Sequence, residues 1–135
     1  MGRILALDIG SSRIGLAITD ENQIICQPMP YTVKPAELIG TLESLHSDYG
    51  IEKIIVGLPK SLSGEEGMQA KKTREQGDMI QKSLKIPIEY FDERLTSKEA
   101  IRLSQSGSTL PIDSLAAQQI LQDYLKPKNV SISTR

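Results

Sequence analysis

The chain has 135 residues, with 16 Lys plus Arg against 17 Asp plus Glu. That length fits one domain with a radius of gyration of about 14 Å, and the 39% hydrophobic and 24% charged content excludes disorder and collagen-like repeats. No apolar run nears the ~20 residues that span a bilayer, and a net charge of −1 excludes a uniformly basic nucleic-acid-binding surface.

Arg3–Ile9 is a near-continuous apolar run, as a strand buried on both faces should be. Gly10-Ser11-Ser12-Arg13 forms a turn and Ile14–Thr19 resumes the strand pattern. After a second turn at residues 20–23, Ile24 and Ile25 are expected to open a third strand, which Pro28 and Pro30 confine to an edge. Cys26 on that strand is the only cysteine, so no internal disulfide is available and a reducing cytoplasm is expected. The period then changes. Leu38, Leu42, Leu45 and Tyr49 recur at helical spacing after Pro35, and Gly50 stops the helix.

Ile51–Leu58 is a β-branched fourth strand, followed by a polar loop at residues 59–67 and a charged helix over about Met68–Leu84. In that helix Gln76-Gly77 stands where a larger apolar residue would fill space, so loose packing is expected. Residues 86–91 make a fifth strand, and Thr96-Ser97-Lys98-Glu99 reads as a capping box opening a helix to about Gln105. Gly107 and Pro111 interrupt the chain. A last helix covers residues 113–125, Pro127 is expected to stop it, and the tail 126–135 is expected to be loosely ordered.

Three strands joined by turns make an antiparallel meander, whereas strands joined through helices run parallel. The expectation is a single α/β domain over residues 1–135. Its mixed five-stranded sheet has three antiparallel strands and then parallel ones, flanked by helices, an order that resembles the ribonuclease H-like fold.

In open α/β sheets, ligands gather at the carboxyl ends of the parallel strands. Acids occupy those ends here: Asp8 closes the first strand, Asp92 and Glu93 follow the fifth, and Asp113 begins the last helix. Ala116 and Ala117 would let that helix approach the sheet and carry Asp113 toward the other acids. Carboxylates converging from separate elements suit Mg²⁺ or Mn²⁺, which two-metal sites use to hydrolyse phosphodiesters. Each acid also has a plainer use. Asp8 can satisfy turn amides and Asp113 is a natural N-cap, whereas Thr96 and Glu99 leave Asp92 and Glu93 unneeded for capping. Lys60, Arg74, Arg13 and Arg94 are candidate phosphate contacts beside such a site, while Lys71 and Lys72 read as a solvated helix face. With one Phe, four Tyr and no Trp, reading of single-stranded sequence by base stacking is not expected.

Other signals lead elsewhere. His46 borders an apolar stripe without a second ligand nearby, and Cys26 lacks a flanking base or a CxxC partner. Asp8-Ile9-Gly10-Ser11-Ser12 resembles the first phosphate loop of actin-like sugar kinases, but those enclose ATP between two lobes and one domain of 135 residues cannot supply both.

Five blocks in order carry a closer likeness. They are Leu7-Asp8-Ile9-Gly10 with Arg13-Ile14-Gly15-Leu16-Ala17, Val56-Gly57-Leu58-Pro59, Ser63-Gly64-Glu65, Asp92-Glu93-Arg94-Leu95-Thr96, and Ile112-Asp113-Ser114-Leu115-Ala116-Ala117 with Ile120-Leu121. Over nearly its whole length the chain resembles the YqgF/RuvX family, relatives of the Holliday junction resolvases that are also described as pre-16S rRNA nucleases. The resemblance implies a metal-dependent nuclease in the bacterial cytoplasm, acting in maturation of the 5′ end of small-subunit ribosomal RNA. By position, the metal-binding acids would be Asp8, Glu93 (or its neighbour Asp92) and Asp113, with Mg²⁺ or Mn²⁺ as cofactor and Arg94 in the same motif. Junction resolvases of this superfamily carry a glutamate at the end of the fourth strand. This chain has Gly57-Leu58-Pro59 there, so the second ligand must come from the fifth. The alternatives are a resolvase of branched DNA and a non-catalytic RNA-binding or ribosome-assembly factor. Expected partners are nucleic acid, pre-rRNA foremost, and ribosome-assembly or transcription factors, with the chain a monomer or weak homodimer and no membrane involved.

Overall fold

Hydrophobic runs that alternate between two faces build the centre of this protein. β1 (Arg3–Ile9), β2 (Ile14–Thr19) and β3 (Cys26–Pro28) form an antiparallel meander in which Asp8 pairs with Gly15 and Ala6 with Ala17. α1 (Leu38–Tyr49) returns the chain so that β4 (Ile51–Leu58) lies parallel to β1, and α2 (Met68–Leu84) does the same for β5 (Ile88–Asp92) beside β4. The result is the mixed five-stranded sheet expected from the sequence, in the order β3-β2-β1-β4-β5. α3 (Lys98–Ser104) and α4 (Ile112–Ser133) follow. The computed structural model describes residues 2–10, 12–59, 67–92, 98–104 and 107–133, and side chains within these except at 98–100 and 127–133. Lys60, Ser63-Gly64-Glu65, Glu93, Arg94 and the Thr96 cap lie outside the described residues.

Strand alternation sends Leu5, Leu7, Ile54 and Val56 to one face, where they pack with Leu38, Leu42 and Leu45 of α1 and Ile80 of α2. Ile4, Ala6, Ala17 and Ile55 point to the other and pack with Ala117, Ile120, Leu121 and Leu125 of α4. Both faces of β1 are therefore covered, which is why its sequence is apolar throughout. Ala116 turns aside to meet Ile101 of α3, so only Ala117 of the two alanines faces the sheet.

Four local expectations are corrected. Ile24 and Ile25 do not start β3. Oδ1 of Asp20 accepts both of their N–H groups at 2.8 Å, which takes these donors from the ladder and leaves the two side chains exposed. The Ile25 and Ile24 amides in turn hold the Asp20 carboxyl below its usual range. β5 begins at Ile88 rather than at residue 86, because Pro87 cannot donate; its carbonyl still accepts from Ile54 N–H at 2.9 Å. α4 passes through Pro127 and continues to Ser133. Proline's fixed φ is itself helical, so it removes one hydrogen bond and crowds the Asp123 carbonyl without forbidding continuation.

The fourth correction concerns Gly77, which is buried and closely packed. A Cβ there would overlap the Tyr90 hydroxyl, which donates to the Arg74 carbonyl at 3.0 Å. Tyr90 of β5 supplies the bulk that the helix lacks. Gly77→Ala gains about 1 kcal/mol of helix propensity but overpacks against Tyr90 at a cost of roughly 1–3 kcal/mol. Urea unfolding is expected to show net destabilisation in the wild-type background and stabilisation in a Tyr90→Leu background.

Candidate functional site

The C-terminal end of β1 brings together the features that the sequence scatters. Asp8 is 4% exposed, and its cross-strand partner is Gly15 of β2. Directly paired residues point to the same face, here the face covered by α4. Gly15 has no side chain to occupy that space. A Cβ built on it would overlap the backbone carbonyl of Asp113 and come within 2.5 Å of the Ser114 nitrogen. The first turn of α4 therefore packs directly on the strand pair that carries Asp8.

Ser114 fixes this approach. Fully buried, its hydroxyl accepts from Leu16 N–H at 3.4 Å and donates to the Tyr31 carbonyl at 3.1 Å. The helix start is thereby tied to β2 and to the chain leaving β3. Asp113 is 7% exposed. It is not the N-cap: α4 begins at Ile112, and the Pro111 carbonyl accepts the first helical bond, from Leu115 N–H at 3.0 Å. Asp113 thus lies inside the first turn, where the helix dipole favours its negative charge. Its Oδ2 meets Arg13 Nε at 3.6 Å, and the Arg13 side chain is 66% exposed. Arg13 stands in the turn that Gly10 N–H closes by donating to the Arg13 carbonyl at 3.0 Å.

Asp92 closes β5 in the register of the opposite face. Along β5, Phe91 packs on the α4 side and Glu89 accepts from the Tyr124 hydroxyl of α4 at 3.3 Å. Ile88 and Tyr90 pack on the α1 and α2 side, and Asp92 shares their register. Among the described residues, no group of three or more His, Cys, Asp or Glu side chains is placed to hold a metal ion. Arg74 lies on α2 with its guanidinium 4.8 Å over the Tyr90 ring. With Gly67, Met68 and Lys71 it lines a surface hollow of about 450 Å³. The helix start is tied to the same sheet end, because Gln69 Nε2 donates to the Ile9 carbonyl at 3.4 Å.

The remaining candidates have structural explanations. His46 Nδ1 accepts the Ile51 N–H at 2.9 Å, joining the end of α1 to β4. Cys26 is buried under α4; burial, and then the charge of Asp20, pushes its thiol up to about 11. Sequence reasoning gave no role to Gly15 or Ser114. A glycine isolated in an apolar strand signals close backbone approach, and that signal was present.

A mixed sheet with α4 on one face and α1 and α2 on the other defines the class: a ribonuclease H-like domain. Thermus thermophilus RuvC, solved in complex with a Holliday junction substrate, has this fold, with a TM-score of 0.55 at 16% identity over 96% of this chain and 97% of that one. The model of the RuvX family, described as a Holliday junction resolvase, matches residues 2–127. A Halothermothrix orenii protein is 39% identical over 94% of this chain and 96% of its own length, and a Chloroflexus aurantiacus protein is 39% identical over 90% and 85%. Both carry the name "Putative pre-16S rRNA nuclease". The chain belongs to the RuvX family.

Two outcomes follow from the geometry. Gly15→Ala has to displace the start of α4 and is expected to cost roughly 2–4 kcal/mol in denaturant unfolding, unlike surface glycines. Cys26 should resist alkylation in the folded state. With its thiol at about 11 instead of 9.0, the thiolate fraction at neutral pH falls about hundredfold, so iodoacetamide should react rapidly only in denaturant.

Proposed function

We propose that this chain is a metal-dependent nuclease that hydrolyses RNA phosphodiesters in maturation of the 5′ end of pre-16S rRNA, in the cytoplasm. One observation carries the reading: two buried carboxylates, Asp8 from β1 and Asp113 from α4, are brought to one end of a ribonuclease H-like sheet by the Gly15 contact. These donors are oxygens from separate elements beside an exposed rim, which fits Mg²⁺ or Mn²⁺ and not a soft metal. Glu93 is the third acid of the proposed site. It is the residue that follows β5, next to Asp92, in the motif Asp92-Glu93-Arg94. When bound, a divalent cation supplies an acidified water and stabilises charge on the leaving oxygen.

The chain's own groups do the rest. Asp8 and Asp113 would hold the cation from two elements that pack directly on one another at Gly15. Arg13, exposed at the rim, has a guanidinium whose planar fork matches a phosphate and would orient the scissile group. Arg74, braced on Tyr90, together with Lys60 and Arg94, would hold flanking phosphates. Such contacts read backbone and shape more than base identity, which agrees with the scarcity of aromatic residues. The names of the relatives favour pre-rRNA, and the RuvX description favours branched DNA as the second reading. Assembly or transcription factors would then recruit a protein whose own affinity for nucleic acid is weak.

The test uses purified protein, Mn²⁺ or Mg²⁺, a labelled pre-16S fragment and a four-way DNA junction. Wild type is expected to cut the RNA only with metal. Asp8→Asn and Asp113→Asn should each lose at least about a hundredfold in rate. Asn keeps the side-chain shape but loses the ion pair with Arg13, so Asp113→Asn should cost the metal-free protein no more than about 1 kcal/mol. Full cleavage by either variant would remove that acid from the site. Cleavage of the junction alone would favour the second reading, and cleavage of neither would leave a binding factor.

A further inference from the structure

We infer that Arg13 is a resident counter-ion that occupies Asp113 in the metal-free protein and is released to the substrate phosphate when a cation binds; the inference rests on the reading of Asp113 as a metal ligand. Asp113 is nearly enclosed, with its side chain 11% exposed, and the guanidinium of Arg13 lies against it with Nε 3.6 Å from Oδ2. Arg13 itself is 66% exposed, so the same arm reaches solvent and anything docked at the rim. Its carbonyl accepts from Gly10 N–H at 3.0 Å, which ties the Arg13 backbone to the end of β1 while the side chain is exposed.

A guanidinium and a divalent cation compete for the same carboxylate, since each is stabilised by its negative charge and they repel one another. Metal affinity is therefore lowered by whatever the ion pair contributes without metal. Binding of the cation frees a five-donor fork beside the position that the scissile phosphate would occupy. Arg13 thus has two anionic partners in turn: a carboxylate before loading and a phosphate after it. Such an exchange links metal loading to substrate capture without any movement of the sheet.

The experiment is a Mn²⁺ titration of the melting temperature, without nucleic acid, for wild type, Arg13→Gln, Arg13→Lys and Asp113→Asn. A cation that binds only the folded state raises the melting temperature by mass action, so the titration reads affinity directly. For Arg13→Gln the Mn²⁺ midpoint is expected about threefold to fivefold below wild type, the range for a partly exposed ion pair. Arg13→Lys keeps the charge and should remain within about twofold of wild type. An unchanged or raised midpoint for Arg13→Gln, with wild type responding and Asp113→Asn not, overturns the counter-ion role and leaves the metal site standing. Equal behaviour of Arg13→Lys and Arg13→Gln overturns it too, since charge would then be irrelevant. If wild type and Asp113→Asn respond alike, or neither responds, the metal reading of Asp113 fails and the counter-ion role fails with it.

Discussion

The contact between Gly15 and the backbone of Asp113 and Ser114 is the constraint on which the rest depends. There is no room for a side chain between β2 and the first turn of α4. The close approach continues along the helix, where Ala117 meets Ala6 and Ala17, a directly opposed pair on β1 and β2. Small residues on both sides bring the helix axis near the sheet, and the larger Ile120 and Leu121 then lock its register. Ser114 adds direction by bonding both β2 and the segment after β3. Asp113 is therefore placed by backbone packing, which is stiffer than placement by a flexible side chain.

The two faces of the sheet divide the work. Under α1 and α2 the contacts are large and aliphatic, and hydrophobic burial is what holds the layers together. Under α4 the residues are smaller and polar groups intrude, with Asp8 and Asp113 at one end and Lys53, Glu89 and Tyr124 near the other. That second cluster is internally matched: the Lys53 ammonium donates to Tyr124 and to Glu89, and both bonds push the lysine upward, that to Tyr124 first. The polar cluster far from the carboxylate pair is thus satisfied as a structural brace. Parity along β5 keeps Glu89 on this face and Asp92 off it.

The sheet was legible because its signals are local. Apolar runs bounded by Gly10, Gly50 and the prolines give strands, and the change from turns to helical connections gives antiparallel and then parallel pairing. What escaped depended on residues distant in sequence. Gly77 looks like a defect until Tyr90 is placed against it, and Gly15 looks like a weak strand position until α4 is laid on it. Ile24 and Ile25 read as strand by composition, yet one carboxylate, Asp20, claims their amides. Among the candidate acids, Asp8 and Asp113 stand at element ends that the sequence marks, whereas the face that Asp92 shares follows only from the alternation of β5, whose start the sequence misplaced by two residues.

Two carboxylates from different kinds of element are not interchangeable at this position. The first turn of a helix carries partial positive charge, which disfavours a cation beside it. A strand end has little dipole of its own, so Asp8 brings negative charge without that opposing field. A cation site built on the helix acid alone would work against the helix end, and one built on the strand acid alone would lack a second ligand across the gap. The Gly15 contact presses the helix start onto the strand pair that carries Asp8, so the two acids of the proposed site come from elements packed directly on one another. In the proposed site the glycine would thus set the electrostatics as well as the shape, while contributing no atom to the chemistry.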